Sequence, residues 1–288
     1  MMADFLEHEA ELAWFNGEFL PLADLRISPF DRGFLFADGV YEGLRWYPDQ
    51  GVFRFEDHLR RLGESLAMLR IEGVDLDEFA SAVPELVRRN GLAGADATIY
   101  LQVTRGVAPR THAFPDPAVV PTRMALVRAF EPFIHAQENG ASATLVEDLR
   151  WGRCDIKSIS LLANVLAKEE AVRAGTDEAI FVREGRVIEG SHTAVMVVVD
   201  GVLVAPPNGP EILPSVTREV VLELAARLGI EVDLRPIEVA ELDRIDEMLV
   251  LGTSTEVTPV VRIDGREVGQ GVVGPVARRL QAAWPGGA

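Results

Sequence analysis

Amine-bearing side chains are nearly missing from these 288 residues: of 28 basic residues only Lys157 and Lys168 are lysines, and the rest are arginines. Chemistry that needs a side-chain primary amine therefore has two candidates. Cysteine is scarcer still. Cys154 alone excludes an internal disulfide framework and any multi-cysteine metal site, and it fits a reducing, cytoplasmic setting. Basic charge is short as well: against 45 acidic residues the net charge is −17 and the pI about 4.7, which argues against nucleic acid or an anionic membrane as a partner. Long apolar runs are absent, since the most apolar stretch, 194–205, is broken by Asp200-Gly201 and reads as two strands and a turn. The first eleven residues are acidic and lack the basic-then-apolar order of an export signal, so no export is expected.

What is present is the balance of a globular protein, with 48% hydrophobic and 25% charged residues, enough for a substantial core in one or two domains. Asn16-Gly17 between alternating apolar positions predicts a tight hairpin over 14–20. The runs 40–47 and 52–55 read as strands around Pro48-Asp49-Gln50-Gly51. Leu59, Leu62, Leu66 and Leu69 then fall at helical spacing, and a second helix is expected over 75–90. Strands at 97–105 and 123–130 complete an antiparallel sheet with helices on one side. The polar stretch 133–140 reads as a linker between a domain at 1–132 and one at 141–288. Beyond it are expected strands at 143–146, 178–183, 186–188, 194–199, 202–204, 232–237, 248–251 and 257–263. Helices are expected at 158–174 and 217–228, with a last one ending near Trp284. The fold class is α+β in two parts.

Lys168 lies inside the helix expected from Ser158, followed by Glu169-Glu170, on a solvated face. Lys157 precedes that helix at an element boundary, where placement alone leaves it either an ordinary surface lysine or a cleft residue. Glu189, before Gly190-Ser191, is a carboxylate in a strand-end loop that on its own reads as merely solvated. Two segments could hold an anion. Pro214-Ser215-Val216-Thr217 opens a helix whose free N–H groups and dipole favour phosphate, and Gly252-Thr253-Ser254-Thr255 follows a strand; a capped helix and a hydrogen-bonded turn are the plainer readings. Arg105 through His112 gathers two arginines and a histidine in a loop suited to a carboxylate. Tyr41, one of three tyrosines, reads on its own as packing.

Asp31-Arg32-Gly33, Asp38-Gly39-Val40-Tyr41-Glu42, Gln102-Val103-Thr104-Arg105-Gly106 and Pro109-Arg110-Thr111-His112 occur in that order. They are followed by Glu147-Asp148-Leu149-Arg150-Trp151, Arg153-Cys154-Asp155-Ile156-Lys157-Ser158 and Thr255-Glu256-Val257-Thr258-Pro259-Val260. Together these stretches resemble the class IV, or fold-type IV, pyridoxal-phosphate aminotransferases, most closely the D-amino acid aminotransferases, over nearly the whole chain. The resemblance implies a smaller N-terminal α/β sandwich and a larger, β-barrel-like C-terminal domain that binds the cofactor, pyridoxal 5'-phosphate. It implies Lys157 as the Schiff-base lysine and Glu189 as the partner of the pyridine nitrogen. Arg61, Val216, Thr217 and Thr253 would hold the phosphate. Tyr41, Arg110 and His112 match the substrate-carboxylate trap, the last two reaching the site of the partner subunit in a homodimer.

The implied reaction is ping-pong transfer of an amino group from a D-amino acid to a 2-oxo acid, with Lys157 moving the proton. The resemblance also extends to branched-chain L-aminotransferases, through Tyr41-Glu42-Gly43-Leu44-Arg45, and more weakly to aminodeoxychorismate lyase. A non-enzymatic binding protein on the same scaffold would keep the phosphate-site residues without needing Lys157. Two stretches differ from the D-specific pattern: His192-Thr193-Ala194 stands where small hydroxyl residues and an asparagine are common, and Gly43 where a bulkier residue is, which widens the expected side-chain pocket.

Overall fold

The computed structural model describes residues 11–285 and divides the chain into two compact units. Of the described residues, the first holds 11–131 together with Ile156–Ser160, and the second holds Pro132–Asp155 and 161–285. Most of the segment read for an export signal lies outside the described residues. Among the described residues no helix is long and apolar enough to cross a membrane.

In the first unit, β1 (Leu12–Phe15) and β2 (Glu18–Pro21) form the hairpin expected at Asn16-Gly17, both of whose residues have positive φ as a two-residue turn requires. A short helix, α1 (Arg32–Phe36), leads into β3 (Gly39–Tyr47) and β4 (Gly51–Val52). Then come α2 (Phe55–Leu69), α3 (Leu76–Arg89), β5 (Ala97–Thr104) and β6 (Thr122–Ala129). The six strands form an antiparallel sheet in the order β2-β1-β6-β5-β3-β4.

One face of this sheet, with Val40 and Leu44 of β3 and Ile99, Leu101 and Val103 of β5, packs on Leu62 and Leu66 of α2 and Phe79, Val83 and Leu86 of α3. Alternation along β3 therefore turns Tyr41 and Gly43 to the opposite face, the one free of those helices. The strand expected at 52–55 stops at Val52, because Arg54 turns left-handed (φ 51°) and α2 begins at Phe55.

The second unit opens with α4 (Ile134–Asn139), so the stretch expected as a linker is largely helical, and Gln137 in it donates to the Thr255 carbonyl at 3.2 Å. It continues through β7 (Ala141–Glu147), α5 (Leu162–Ala174), β8 (Glu178–Arg183), β9 (Arg186–Gly190), β10 (Ala194–Val199), β11 (Val202–Ala205) and α6 (Val216–Leu228). The remainder is β12 (Val232–Leu234), β13 (Ile237–Glu238), β14 (Glu247–Gly252), β15 (Glu256–Ile263), β16 (Arg266–Glu267) and α7 (Pro275–Ala282). These ten strands build one mixed sheet, β12-β11-β10-β14-β15-β7-β8-β9-β13 with β16 on β15. Its core is made of branched residues such as Ile180, Val187, Val195, Val197, Val250 and Val260.

The single strand expected at 232–237 is two, β12 and β13, interrupted at Arg235-Pro236, as proline lacks the N–H for a continued ladder. The helix expected from Ser158 begins only at Leu162. Ser158 instead bridges Val40, and the Ile159 N–H donates to the Gly39 carbonyl at 3.1 Å. Lys157 is thus set on an extended segment beside β3. Two-part α+β architecture with a helix-backed smaller sheet is the architecture the sequence led us to expect.

Candidate active site

Backbone pairing fixes Lys157. Its N–H donates to the Ser65 hydroxyl of α2 at 3.2 Å, and its carbonyl accepts from the Tyr41 N–H at 3.0 Å. Ile156 beside it is buried in the core of the first unit. Gly39 is required for this approach, since a Cβ there would lie 2.5 Å from the Val103 carbonyl oxygen and 3.1 Å from Ile159. The half-buried Lys157 ammonium lies 4.4 Å from the centre of the Tyr41 ring. Tyr41 in turn stacks on Tyr100 of β5, ring centres 5.7 Å apart. Burial, with a smaller contribution from Tyr41, pushes the Tyr100 phenol up to about 12, and it donates to Gln102 at 2.7 Å. Gly43, opposite Tyr100 in the ladder, faces open space. By contrast Lys168, on α5 in the second unit, donates to the Asp177 carbonyl.

Glu42 is the next residue along β3 and points the other way, under α2. It accepts from Arg61 through two parallel bonds of 2.8 Å, and from His58 Nδ1 at 2.8 Å. All three groups are buried. Burial alone pushes the Glu42 carboxyl up, but the charge and hydrogen bonds of Arg61, joined by His58, outweigh it and hold the carboxyl at about 2. Burial also lowers His58, more than Glu42 raises it, so the imidazole is neutral near pH 7. Arg61, expected from the resemblance as a phosphate ligand, is therefore oriented by a bidentate carboxylate.

Arg110 and His112 are exposed and stand against one aromatic ring, Phe36 of α1: the Arg110 Cζ is 5.2 Å from its centre and the His112 ring 5.6 Å.

In the second unit Glu189 lies within β9 rather than at a strand-end loop, and it is buried. Arg150 donates to its Oε1, and the Leu213 N–H donates to Oε2 at 3.1 Å. The latter bond ties Glu189 to the segment entering α6. Arg150 also makes two 2.8 Å bonds to Asp148, which Arg183 approaches at 2.8 Å. Near Glu189 in the chain, Ser191 and Thr193 donate to the buried carboxylate of Glu178 at 2.6 and 2.9 Å, and His192 lies 3.2 Å from it. His192 and Thr193, which belong to the departure from the D-specific pattern, are thus absorbed with Ser191 into a satisfied network. The His192 side chain itself is 47% exposed.

Ser215 caps α6, accepting from the Arg218 N–H at 3.2 Å. Val216 and Thr217 thus supply the first-turn N–H groups that a helix leaves outside its own ladder. Thr253 sits in the turn between β14 and β15. In that turn the Thr255 hydroxyl is buried with no hydrogen-bond partner among the described residues. Within the second unit, an anchored carboxylate, a helix N-terminus and an unused hydroxyl are groups that suit a phosphorylated pyridine, and within the first unit Lys157 is an amine on a fixed backbone, the group that suits an aldehyde. Glu178, His58 and the pairing of Glu42 with Arg61 were not singled out from the sequence, and Arg150 stood in a motif without a role of its own. Ion pairs between distant residues leave no local pattern; the one available hint was that so many arginines cannot all be solvated.

A model of amino-transferase class IV matches residues 39–263. The D-alanine aminotransferase of Staphylococcus haemolyticus is 42% identical over 270 residues, covering 93% of this chain and 95% of that protein. That of Bacillus licheniformis is 38% identical over 274 residues, covering 93% and 94%. Among solved structures, the branched-chain amino acid aminotransferase of Escherichia coli superposes with a TM-score of 0.88 at 29% identity, covering 95% of this chain and 93% of that one. A branched-chain enzyme from T.th. complexed with N-(5'-phosphopyridoxyl)-L-glutamate gives 0.86 at 31% identity, covering 96% and 93%. With a family match over most of its length and relatives this similar end to end, the chain belongs to the class IV aminotransferases.

Proposed function

We propose that the chain, as a cytoplasmic homodimer, transfers an amino group from a D-amino acid such as D-alanine to a 2-oxo acid such as 2-oxoglutarate, using pyridoxal 5'-phosphate. The observation that carries the D-specific reading is the exposed Arg110/His112 pair, two groups able to grip a carboxylate, on a loop otherwise fastened to its own unit. The relatives named as D-alanine aminotransferases support it, at 38–42% identity.

When bound, the cofactor supplies an electron sink for the charge that develops at the substrate α-carbon. Lys157 is the residue to carry it and then, as a free amine, to move the α-proton. Glu189, fixed by Arg150 and the Leu213 N–H, would pair with the pyridine nitrogen. Arg61, Val216, Thr217 and Thr253 would take the phosphate. Tyr41, with Arg110 and His112 from the partner subunit, would orient the substrate carboxylate, so that each site is completed by the other chain. The domain at 1–132 would then carry the carboxylate loop and the one at 141–288 most of the cofactor contacts. The overall negative charge repels anionic substrates, and these local arginines must overcome it.

A second reading, a branched-chain L-aminotransferase, is favoured by the open space at Gly43 beside Tyr41. A donor screen on cofactor-loaded protein separates the two. D-Alanine with 2-oxoglutarate is expected to exceed L-alanine and L-leucine by roughly tenfold or more in kcat/KM. Preference for L-leucine or L-valine would replace the first reading with the second.

A further inference from the structure

The motif Asp31-Arg32-Gly33 through Asp38 has no role in the chemistry above, yet its charged groups are spent on a single loop. Asp31 caps α1 through the Gly33 N–H at 2.8 Å, and its other oxygen accepts from Thr122 at 2.6 Å, where the loop after β5 re-enters the sheet. At the loop's start, the Arg32 N–H donates to the Gly106 carbonyl at 2.9 Å and the Ala108 N–H to that of Phe30 at 3.2 Å. A Cβ on Gly33 would collide with Thr104, so the motif's glycine is what lets α1 lie against β5.

The Arg32 side chain is 4% exposed. Its Nε donates to Asp38 at 2.8 Å, and its Nη1 to the carbonyls of Thr111 at 2.7 Å and Ala113 at 3.4 Å, on either side of His112. Asp38 also binds Arg105 through bonds of 2.8 and 2.9 Å, and the Arg105 guanidinium lies 3.7 Å from the Phe114 ring. Phe36 completes the set. Its ring has the Arg32 Cζ at 4.9 Å as well as Arg110 and His112 close by.

We propose that Arg32 and Phe36 are positioning residues for the substrate carboxylate: Arg32 clamps the loop backbone around His112, and the Phe36 ring sets where Arg110 and His112 point. This rests on the reading of Arg110 and His112 as carboxylate ligands. A guanidinium buried for general stability would be satisfied as well by neighbouring elements; this one is aimed at two loop carbonyls that no strand or helix uses. An aromatic face holds a guanidinium in direction without neutralising it, which leaves the charge of Arg110 available to a ligand.

The test uses the cofactor-loaded enzyme. Phe36→Leu keeps apolar volume but removes the ring face, and it is expected to raise KM for D-alanine and 2-oxoglutarate roughly ten- to a hundredfold, with kcat and cofactor retention near wild type. Hydrogen exchange over 107–117 should quicken while that of 39–47 stays unchanged. Phe36→Tyr, which restores the ring, should restore KM, and Arg32→Met should repeat the Phe36→Leu pattern. Unchanged KM with unchanged loop exchange in Phe36→Leu overturns the proposal. So does loss of cofactor or kcat in step with KM, which would mark a general structural role. Arg110→Ala separates the underlying reading: if it leaves KM unchanged, the carboxylate assignment fails. The exchange of the loop in Phe36→Leu still decides whether the ring positions it.

Discussion

Replacing Lys157 by alanine is expected to abolish transamination, by roughly 10²–10⁴-fold at least for the lost proton transfer alone, and to leave the fold standing. The backbone bonds that hold this position, to Ser65 and to Tyr41, do not use its side chain. What the side chain adds to stability is the contact with the Tyr41 ring, about 0.5–1 kcal/mol. A thermal melt of Lys157→Ala should therefore stay close to that of the parent while activity disappears. Lys168→Ala should remain near wild type in activity, because that amine serves the Asp177 carbonyl just ahead of β8. Borohydride reduction followed by peptide mapping should find the cofactor on the peptide containing Lys157. Loss of activity on changing Lys168, with Lys157→Ala active, would sink the assignment.

The scarcity of lysine makes this experiment unusually clean, and the abundance of arginine has its own structural consequence. Arg32 and Arg105 share Asp38, Arg61 takes both oxygens of Glu42, Arg150 and Arg183 share Asp148, and Arg45 binds Asp96 at 2.7 Å. Planar guanidinium suits such bidentate and shared pairs, and it cannot imitate an amine toward an aldehyde. The chain thus builds its buried ion clusters without creating competitors for Lys157.

How far this was legible in advance depends on the range of the interaction. β3, β5, β8 and β10 follow alternation and apolar runs carried by neighbouring residues, and the leucines of α2 or the Asp75 cap of α3 are equally local. The segment around Lys157 failed for the opposite reason. Its conformation is dictated by Gly39, Tyr41 and Ser65, far away in the chain, and its own residues read as the start of a helix. α1 is five residues long, too short for any period to show. Lys157, Glu189 and Arg110 were picked out by motifs, whereas their contacts with the groups that orient them, Ser65, Arg150 and Phe36, exist only through space, even for Arg150, which stands in a motif of its own.

Glu42 is where such a hidden relation should have its largest energetic effect. Glu42→Ala removes the carboxylate from a buried guanidinium and a buried imidazole. Breaking a buried pair from one side costs about 3–5 kcal/mol, because the remaining charge stays desolvated. That is a large part of a domain's typical stability. Chemical denaturation of the variant should show it directly, and Arg61→Met made alongside should be less than additive with it, since both remove one interaction.

The same cluster sets a pH dependence. Glu42 titrates near 2 in the fold against an ordinary 4.5, so the stability it contributes is complete above about 4.5 and is lost as the pH falls through about 2. His58 is lowered from 6.5 by burial, so protonation begins to favour the unfolded chain once the pH drops below that value. Both act in one direction. Parent stability should decline on acidification from about pH 6.5 and more steeply below 4.5, while in Glu42→Ala the lower step shrinks to what carboxylates such as Asp38 and Asp148, also lowered by their arginines, supply. A variant with parental stability and an unchanged acid limb would show that Glu42 does not anchor Arg61.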